Sequence, residues 1–179
     1  MSLPSGTHQL GPDNATLSVR TGRVGAAAKA GHDLVIHVTS WSATLVADED
    51  PTKTSVELTA DAMSLKVIEG TGGMQALGSD DIANIEQTID EEVLKHQEIK
   101  FRSTGVRPGG TADRISVEGK LTIVGTTNPI VFDLATGENG ALSATAVVTQ
   151  TVWGMKPYSA LFGALKVADE VEVAIDGQL

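Results

Sequence analysis

The sequence predicts an antiparallel all-β fold with a single helix, either a barrel or a sandwich. Three observations carry this. Apolar and polar residues alternate with period two through most of the chain, which gives each strand one buried and one wet face. Turn-forming clusters such as "RPGG" (107–110), "GTTNP" (125–129) and "GENG" (137–140) interrupt the runs at short, fairly regular spacing, as in barrels and sandwiches. One segment alone, 79–95, switches to helical spacing. A closed barrel of about eight strands would leave no sheet edge open to aggregation. Such a barrel is either filled by its own side chains or holds one ligand.

Taken in order, "LSVRTGRV" (17–24), "LVIHVT" and "WSATLVAD" (34–48) are the first strands. In "TSVELTADA" (54–62), Val56, Leu58 and Ala60 share one face. The glycine-rich "EGTGGMQALG" (69–78) reads as a flexible connection. It is no dinucleotide fingerprint, because Gln75 stands where the third glycine belongs. In "SDDIANIEQTIDEEVLK" (79–95), Ile82, Ile85, Ile89 and Val93 form a helical stripe. Ser79 is the expected N-cap, Asp80 and Asp81 suit the positive helix end, and Lys95 and His96 suit the negative end. "EIKFRSTGV" (98–106) turns Ile99 and Phe101 to one side. "RISVEGKLTIV" (114–124) does the same with Ile115, Val117, Gly119, Leu121 and Ile123. Ile130, Phe132 and Leu134 follow in "PIVFDLA" (129–135), and Leu142, Ala144, Ala146 and Val148 in "ALSATAVVT" (141–149). "LKVADEVEVAI" (165–175) closes the set with Leu165, Val167, Val171, Val173 and Ile175.

At 179 residues the chain is expected to be one domain, residues 1–179, with enough core to need no staples. It has no cysteine, which excludes disulfides, thiol catalysis and sulfur-ligated zinc. The net charge is −10 and uneven: +1 over 1–40, −9 over 41–100 and −2 over 101–179. That balance argues against nucleic acid and against an anionic membrane surface as partners. No window approaches a membrane span, so the protein is not expected to be membrane-embedded. The start "MSLPSGTHQL" lacks a basic region and an apolar run. A cytoplasmic location is therefore expected, with an exported form if the native N-terminus has been replaced.

Groups for catalysis are scarce. His32 and His37 are five apart in "GHDLVIHV" and fall on opposite faces of a strand, so they cannot chelate one metal together. No metal or other cofactor is expected. "G-x-S-x-G" is missing, and the acids of "DED" (48–50) and "DEEVLK" (90–95) read as solvated surface. "NAT" (14–16) matches a glycosylation acceptor but is too common a pattern to weigh. The apolar inventory says more. Small inward residues, namely Ala60, Gly119, Ala144 and Ala146, leave room for a cavity. A fully packed core is the plain alternative.

The block "EIKFRSTGV" followed by "ISVEGKLTIVGTTNPIVFDL" resembles the YceI-like family, whose pattern runs "P-x-I-x-F-x-S" and then "G-x-L-T-I-x-G-x-T-x-P-V". Ile99, Phe101 and Ser103 match the first motif; Gly119, Leu121, Thr122, Ile123, Gly125, Thr127 and Pro129 match the second. "SVELTADAMSLKV" (55–67) and "LFGALKV" (161–167) are similar to two further family elements. The resemblance implies a lipocalin-like antiparallel barrel with the helix near one opening and a long apolar tunnel. It implies an isoprenoid chain or similar amphiphile as ligand, no catalysis, and a homodimer as a possible assembly. Phe101, Leu121, Ile123, Phe132, Leu142, Ala144, Ala146, Trp153 and Phe162 are the candidate tunnel wall. A quinone or isoprenoid diphosphate head would call for a cation near the mouth, and Arg20, Arg23, Lys29 and His32 are the candidates, in 1–40, the only one of those three blocks that is not net acidic.

The leading expectation is a non-enzymatic carrier or store for an elongated apolar molecule such as a polyisoprenoid or isoprenoid quinone. The alternative is an interaction module with a filled barrel that presents the acidic helix 79–95 to a protein partner through Glu86, Glu91 and Glu92. An enzyme with His32 as general base is a third, weaker reading.

Overall fold

The computed structural model describes residues 3–179; Met1 and Ser2, which open the "MSL" start, lie outside the described residues. Fourteen strands follow one another among the described residues, the first seven being β1 (Gly6–Leu10), β2 (Ala15–Thr21), β3 (Arg23–Val24), β4 (His32–Val38), β5 (Trp41–Ala47), β6 (Ser55–Ala60) and β7 (Leu65–Gly72). Helix α1 (Ser79–Thr88) comes next. Then follow β8 (Ile99–Pro108), β9 (Arg114–Ile123), β10 (Thr126–Thr136), β11 (Ala141–Thr149), β12 (Ser159–Ala160), β13 (Leu165–Val167) and β14 (Glu170–Gln178). Eleven of them make one curled antiparallel sheet in the order β1-β5-β6-β8-β9-β10-β11-β14-β2-β4-β7, and β12-β13-β3 make a small second sheet.

Eleven strands replace the expected eight for a local reason. Two residues separate β4 from β5, and the pairing carries on around the bend: Thr39 donates to the Ser64 carbonyl at 2.9 Å and Asp61 to the Ser40 carbonyl at 3.0 Å. Thus β4–β5 and β6–β7 are two long strands, each broken by a bend. Counting each as one and setting aside edge strand β1 leaves eight. The bent hairpin ties the two ends of the sheet together and gives the lipocalin-like barrel.

The helix closes a gap in this wall. β7 lies at the end of the sheet order, so one row of its backbone groups has no strand partner. Glu86 of α1 meets that edge. Its carboxylate accepts the Val67 N–H at 2.9 Å and pairs with Lys66 Nζ at 2.9 Å. An open edge is thereby blunted by a charged side chain.

Four local expectations need correction. The N-cap of α1 is Gly78, not Ser79, and the Asp81 carboxylate reaches back to accept the Gly78 N–H at 2.9 Å. The helix is not uniform to residue 95: from Ile89 to Leu94 it widens into a π-helix and ends on Lys95 and His96, both at positive φ. The turn between β9 and β10 is Val124–Gly125, since Ile123 pairs with Thr126. Both turn residues have positive φ, as a two-residue hairpin demands. Pro129 therefore lies inside β10, where the β11 ladder has already stopped, because β10 and β11 pair only between Asp133↔Thr145 and Thr136↔Leu142. Finally, "EGTGG" is not a loose connection. β7 runs through Gly70 to Gly72, and a side chain at Gly70 would fall on Leu77.

Alternation places the core where the period-two reading puts it. Ile36, Leu45 and Val117 are the most deeply buried large side chains, each worth about 1.5–3 kcal/mol on burial.

The internal cavity and its mouth

The inward faces of the wall do not fill the barrel. They enclose a cavity of about 940 Å³, near the upper end for small-molecule sites. Val56, Leu58 and Ala60 of β6, Ile99 and Phe101 of β8, and Leu121 and Ile123 of β9 line it. So do Ile130, Phe132 and Leu134 of β10 and Leu142, Ala144, Ala146 and Val148 of β11. The helical segment adds Ile85, Ile89, Val93 and Leu94 from the side. Leu94, five residues after Ile89, turns inward because the chain there is π-helical. The Phe101 and Phe132 rings pack with centroids 5.4 Å apart and planes tilted by 56°.

Of the nine wall candidates, Phe101, Leu121, Ile123, Phe132, Leu142, Ala144 and Ala146 face the cavity. Trp153 and Phe162 do not. Trp153 is buried beside β9, where its Nε1–H donates to the Leu121 carbonyl at 2.8 Å. Phe162 sits in the β12–β13 turn at 112% relative exposure. Gly119 leaves no space either: the Phe101 ring lies over it, and a Cβ there would also meet the Arg102 carbonyl at 2.6 Å.

Two of the four cation candidates reach the mouth. Arg23 and His32 line it. Arg20 instead pairs with Glu172 at 2.8 Å on the outside of the wall, as alternation from Val19 dictates, and Lys29 is exposed and does not line the cavity. Arg23 is held from several sides. Its guanidinium donates to the Gly31 carbonyl, its Nε lies 3.6 Å from Asp33, and its own N–H donates to Asp33 at 3.1 Å. His32 donates Nε2–H to the Gln75 carbonyl at 2.7 Å. Both side chains lie against glycines. A Cβ on Gly72 would fall on the Arg23 guanidinium and one on Gly73 on the His32 ring, and both glycines have positive φ. The glycine-rich segment thus exists to let two polar side chains cross the backbone.

Pattern reading missed other mouth residues. The Thr21 hydroxyl is buried, borders the cavity and has no hydrogen-bond partner among the described residues. Tyr158, Lys166, Gln75 and Asn84 also line it. Alternation assigns Lys166 to the outside of β13, but this three-residue strand belongs to the small sheet at the rim, where inside and outside no longer alternate across a wall. An unpartnered threonine has no sequence signal at all.

Among the described residues, no group of three His, Asp or Glu side chains is placed to hold a metal. His37 points away from the cavity that His32 lines. Asp50 is held below the usual carboxylate range by the Thr52 hydroxyl and then by its N–H, and Asp113 is held low by Thr111. Both lie in turns, Asp50 exposed and Asp113 half-buried. The Asn14 amide of "NAT" is engaged with the Gln9 and Gln178 carbonyls. The acidic back of the helix is partly spent: Asp81 caps Gly78, Glu86 holds β7, Glu91 accepts from Gln87, and Asp90 pairs with His96.

A curled barrel bent at β4–β5, with a helix in its wall and an apolar interior, agrees with the sequence resemblance. The family model of the YceI-like domain matches residues 10–179. The chain belongs to the YceI-like family. Solved structures agree on the fold. BcnA of Burkholderia cenocepacia superposes with a TM-score of 0.67 at 16% identity, covering 90% of this chain and 94% of that one. The Campylobacter jejuni YCEI protein gives 0.56 at 14% identity, covering 80% and 82%. A mutant CJ YCEI protein with a monobromobimane guest gives 0.59 at 13% identity with the same coverage. Comparison with curated proteins returns no significant match. Membership of the YceI-like family is consistent with a hydrophobic ligand. No helix among the described residues is long and apolar enough to cross a membrane.

Proposed function

We propose that this YceI-like chain is a non-enzymatic carrier or store for an elongated apolar molecule, a polyisoprenoid or isoprenoid quinone, held inside the barrel. The observation that carries the reading is the cavity of about 940 Å³ lined by aliphatic and aromatic side chains. Burial of hydrocarbon supplies the driving force. Ten carbons at about 0.8 kcal/mol each give a gross gain of about 8 kcal/mol, micromolar before ordering costs are taken off. The polar end of the ligand would sit at the mouth against Arg23, His32 and the unpartnered Thr21 hydroxyl. Arg23, being always charged, suits a diphosphate or quinone oxygen.

Native mass spectrometry of gently purified protein tests this, with polyprenol, ubiquinone or menaquinone offered to the apo form. The expected result is a discrete adduct that extracts into organic solvent. Ala146→Phe projects a ring into the cavity and should cut uptake at least about tenfold, while the circular dichroism stays that of the parent. A clean apo mass with every lipid offered, or unchanged uptake by Ala146→Phe, would remove the reading.

A further inference from the structure

The overall charge of −10 hides one face with the opposite character. Residues 21–32 and 156–168 contain Arg23, Lys29, Lys156 and Lys166 and no acid, whereas the rest of the chain holds all 23 acids and nine bases. The two segments are also one body in space. Val24 pairs with Lys166 and Arg23 with Val167, and the Ala27 N–H donates to the Ala164 carbonyl at 2.8 Å. Of the carboxylates that border them, Asp33 is engaged by Arg23 and Asp169 by Thr151, and Glu170 is exposed. Asp81, which also lines the cavity, caps Gly78.

The same body carries exposed apolar side chains. Val24, Tyr158, Leu161 and Phe162 are four of the eleven large exposed hydrophobics among the described residues. Leu161 and Phe162 form the tip of the β12–β13 turn, both at positive φ. Such a conformation is unfavourable for side chains of this kind. It points Phe162 entirely into solvent. Met74, also exposed, stands on the loop that borders the same mouth.

We infer that this basic, apolar rim docks the mouth of the barrel onto a lipid bilayer carrying anionic headgroups. Phe162 and Leu161 insert at the interface, and Lys29, Lys156 and Lys166 meet the surface potential. The complementarity of an acid-free basic patch is what selects an anionic bilayer over a neutral one. The whole-chain charge, which argues against such a surface, applies to the other faces of the molecule. Docking there would set the cavity against the phase in which a long apolar ligand dissolves.

The test is co-sedimentation of the full chain with phosphatidylcholine vesicles containing about 30 mol % phosphatidylglycerol, against pure phosphatidylcholine. Binding is expected to the anionic vesicles, to weaken on pure phosphatidylcholine, and to fall at about 0.5 M salt. Lys29→Gln and Lys166→Gln should each weaken partitioning about fivefold, Phe162→Asp should abolish it, and Lys120→Gln on another face should change nothing. Thermal melts check that the variants are folded, and the lysine variants give a reading that leaves the apolar tip intact. No binding to anionic vesicles, or equal binding by all variants, overturns the inference. So does concentration-dependent dimerisation that Phe162→Asp abolishes without any vesicle binding, which would assign the face to a second copy. No ligand is present in the assay, so docking and ligand uptake can fail separately.

Discussion

The wall of the barrel and the rim of its mouth are built by different rules. In β8 through β11, save for the irregularity between Ser103 and Gly105, every second residue faces inward, and the faces follow from alternation: Ile99 and Phe101, Leu121 and Ile123, Ile130 and Phe132, Ala144 and Ala146. At the rim, segments 21–32, 69–78 and 156–168 obey no period. There Gly72 and Gly73 make room for Arg23 and His32, and Leu161 and Phe162 hold a turn at positive φ. The wall is specified by a repeating pattern that tolerates exchange of one aliphatic for another. The rim is specified by single close approaches between residues distant in sequence. Damage to the wall should therefore be read as lost stability, and damage to the rim as lost recognition.

The largest expected effect comes from the one place where the wall behaves like the rim. Gly119 sits under the Phe101 ring and 2.6 Å, at its missing Cβ, from the Arg102 carbonyl. It pairs with Ser103, just before the irregularity that separates Ser103 from Gly105 in β8. A methyl group there meets backbone on one side and forces the ring toward the cavity on the other. Gly119→Ala should cost about 1–3 kcal/mol in urea unfolding and reduce ligand uptake as well. A variant as stable as the parent would show that the ring and the strand yield freely, and the distinction between wall and rim would lose its sharpest case.

Gly73→Ala asks the same question at the rim and should give the opposite balance. The new methyl would fall on the His32 ring at a residue whose φ is +73°. His32 is expected to leave the Gln75 carbonyl, while the core beneath is untouched. Stability should drop by about 1 kcal/mol or a little more, and the main loss should be in binding of a ligand with a polar head. Unchanged head-group selectivity, measured with a polyprenol against its diphosphate, would count against a recognition role for His32.

These two glycines also show what was legible in the sequence. The β class, the inward faces of the wall, the presence of one helix and seven of nine wall candidates follow from period-two and helical patterning, which reports burial directly. What could not be read depends on contacts across the fold. The bends that split two of the eight strands in half, leaving β1 as the further addition, lie in ordinary residues, Thr39, Ser40 and Asp61–Ser64. The π-helix from Ile89 differs from an α-helix by one residue per turn, too little to register in a single pass. "EGTGG" looks like a flexible linker because glycine serves flexibility and close approach equally well. Trp153 and Phe162, the two wall candidates that do not face the cavity, are also placed by contacts and turns rather than by period: one is pinned behind β9 and the other faces solvent.

The smallest predicted effect separates the two tryptophans. Both are buried, but the Trp153 Nε1–H donates to the Leu121 carbonyl at 2.8 Å, whereas the Trp41 Nε1–H has no partner among the described residues. Replacing either by phenylalanine removes similar volume, so the packing losses roughly cancel when the two are compared. What remains is one hydrogen bond, and the freed Leu121 carbonyl adds to its loss. Trp153→Phe should therefore be less stable than Trp41→Phe by about 1 kcal/mol, read as the difference between two urea midpoints at equal slope. Trp153 also fastens the start of the rim to β9, so its variant should lose some ligand uptake while Trp41→Phe keeps it. Equal stabilities and equal uptake would mean that the rim is held by its own small sheet, β12-β13-β3, and not by its anchor on the wall.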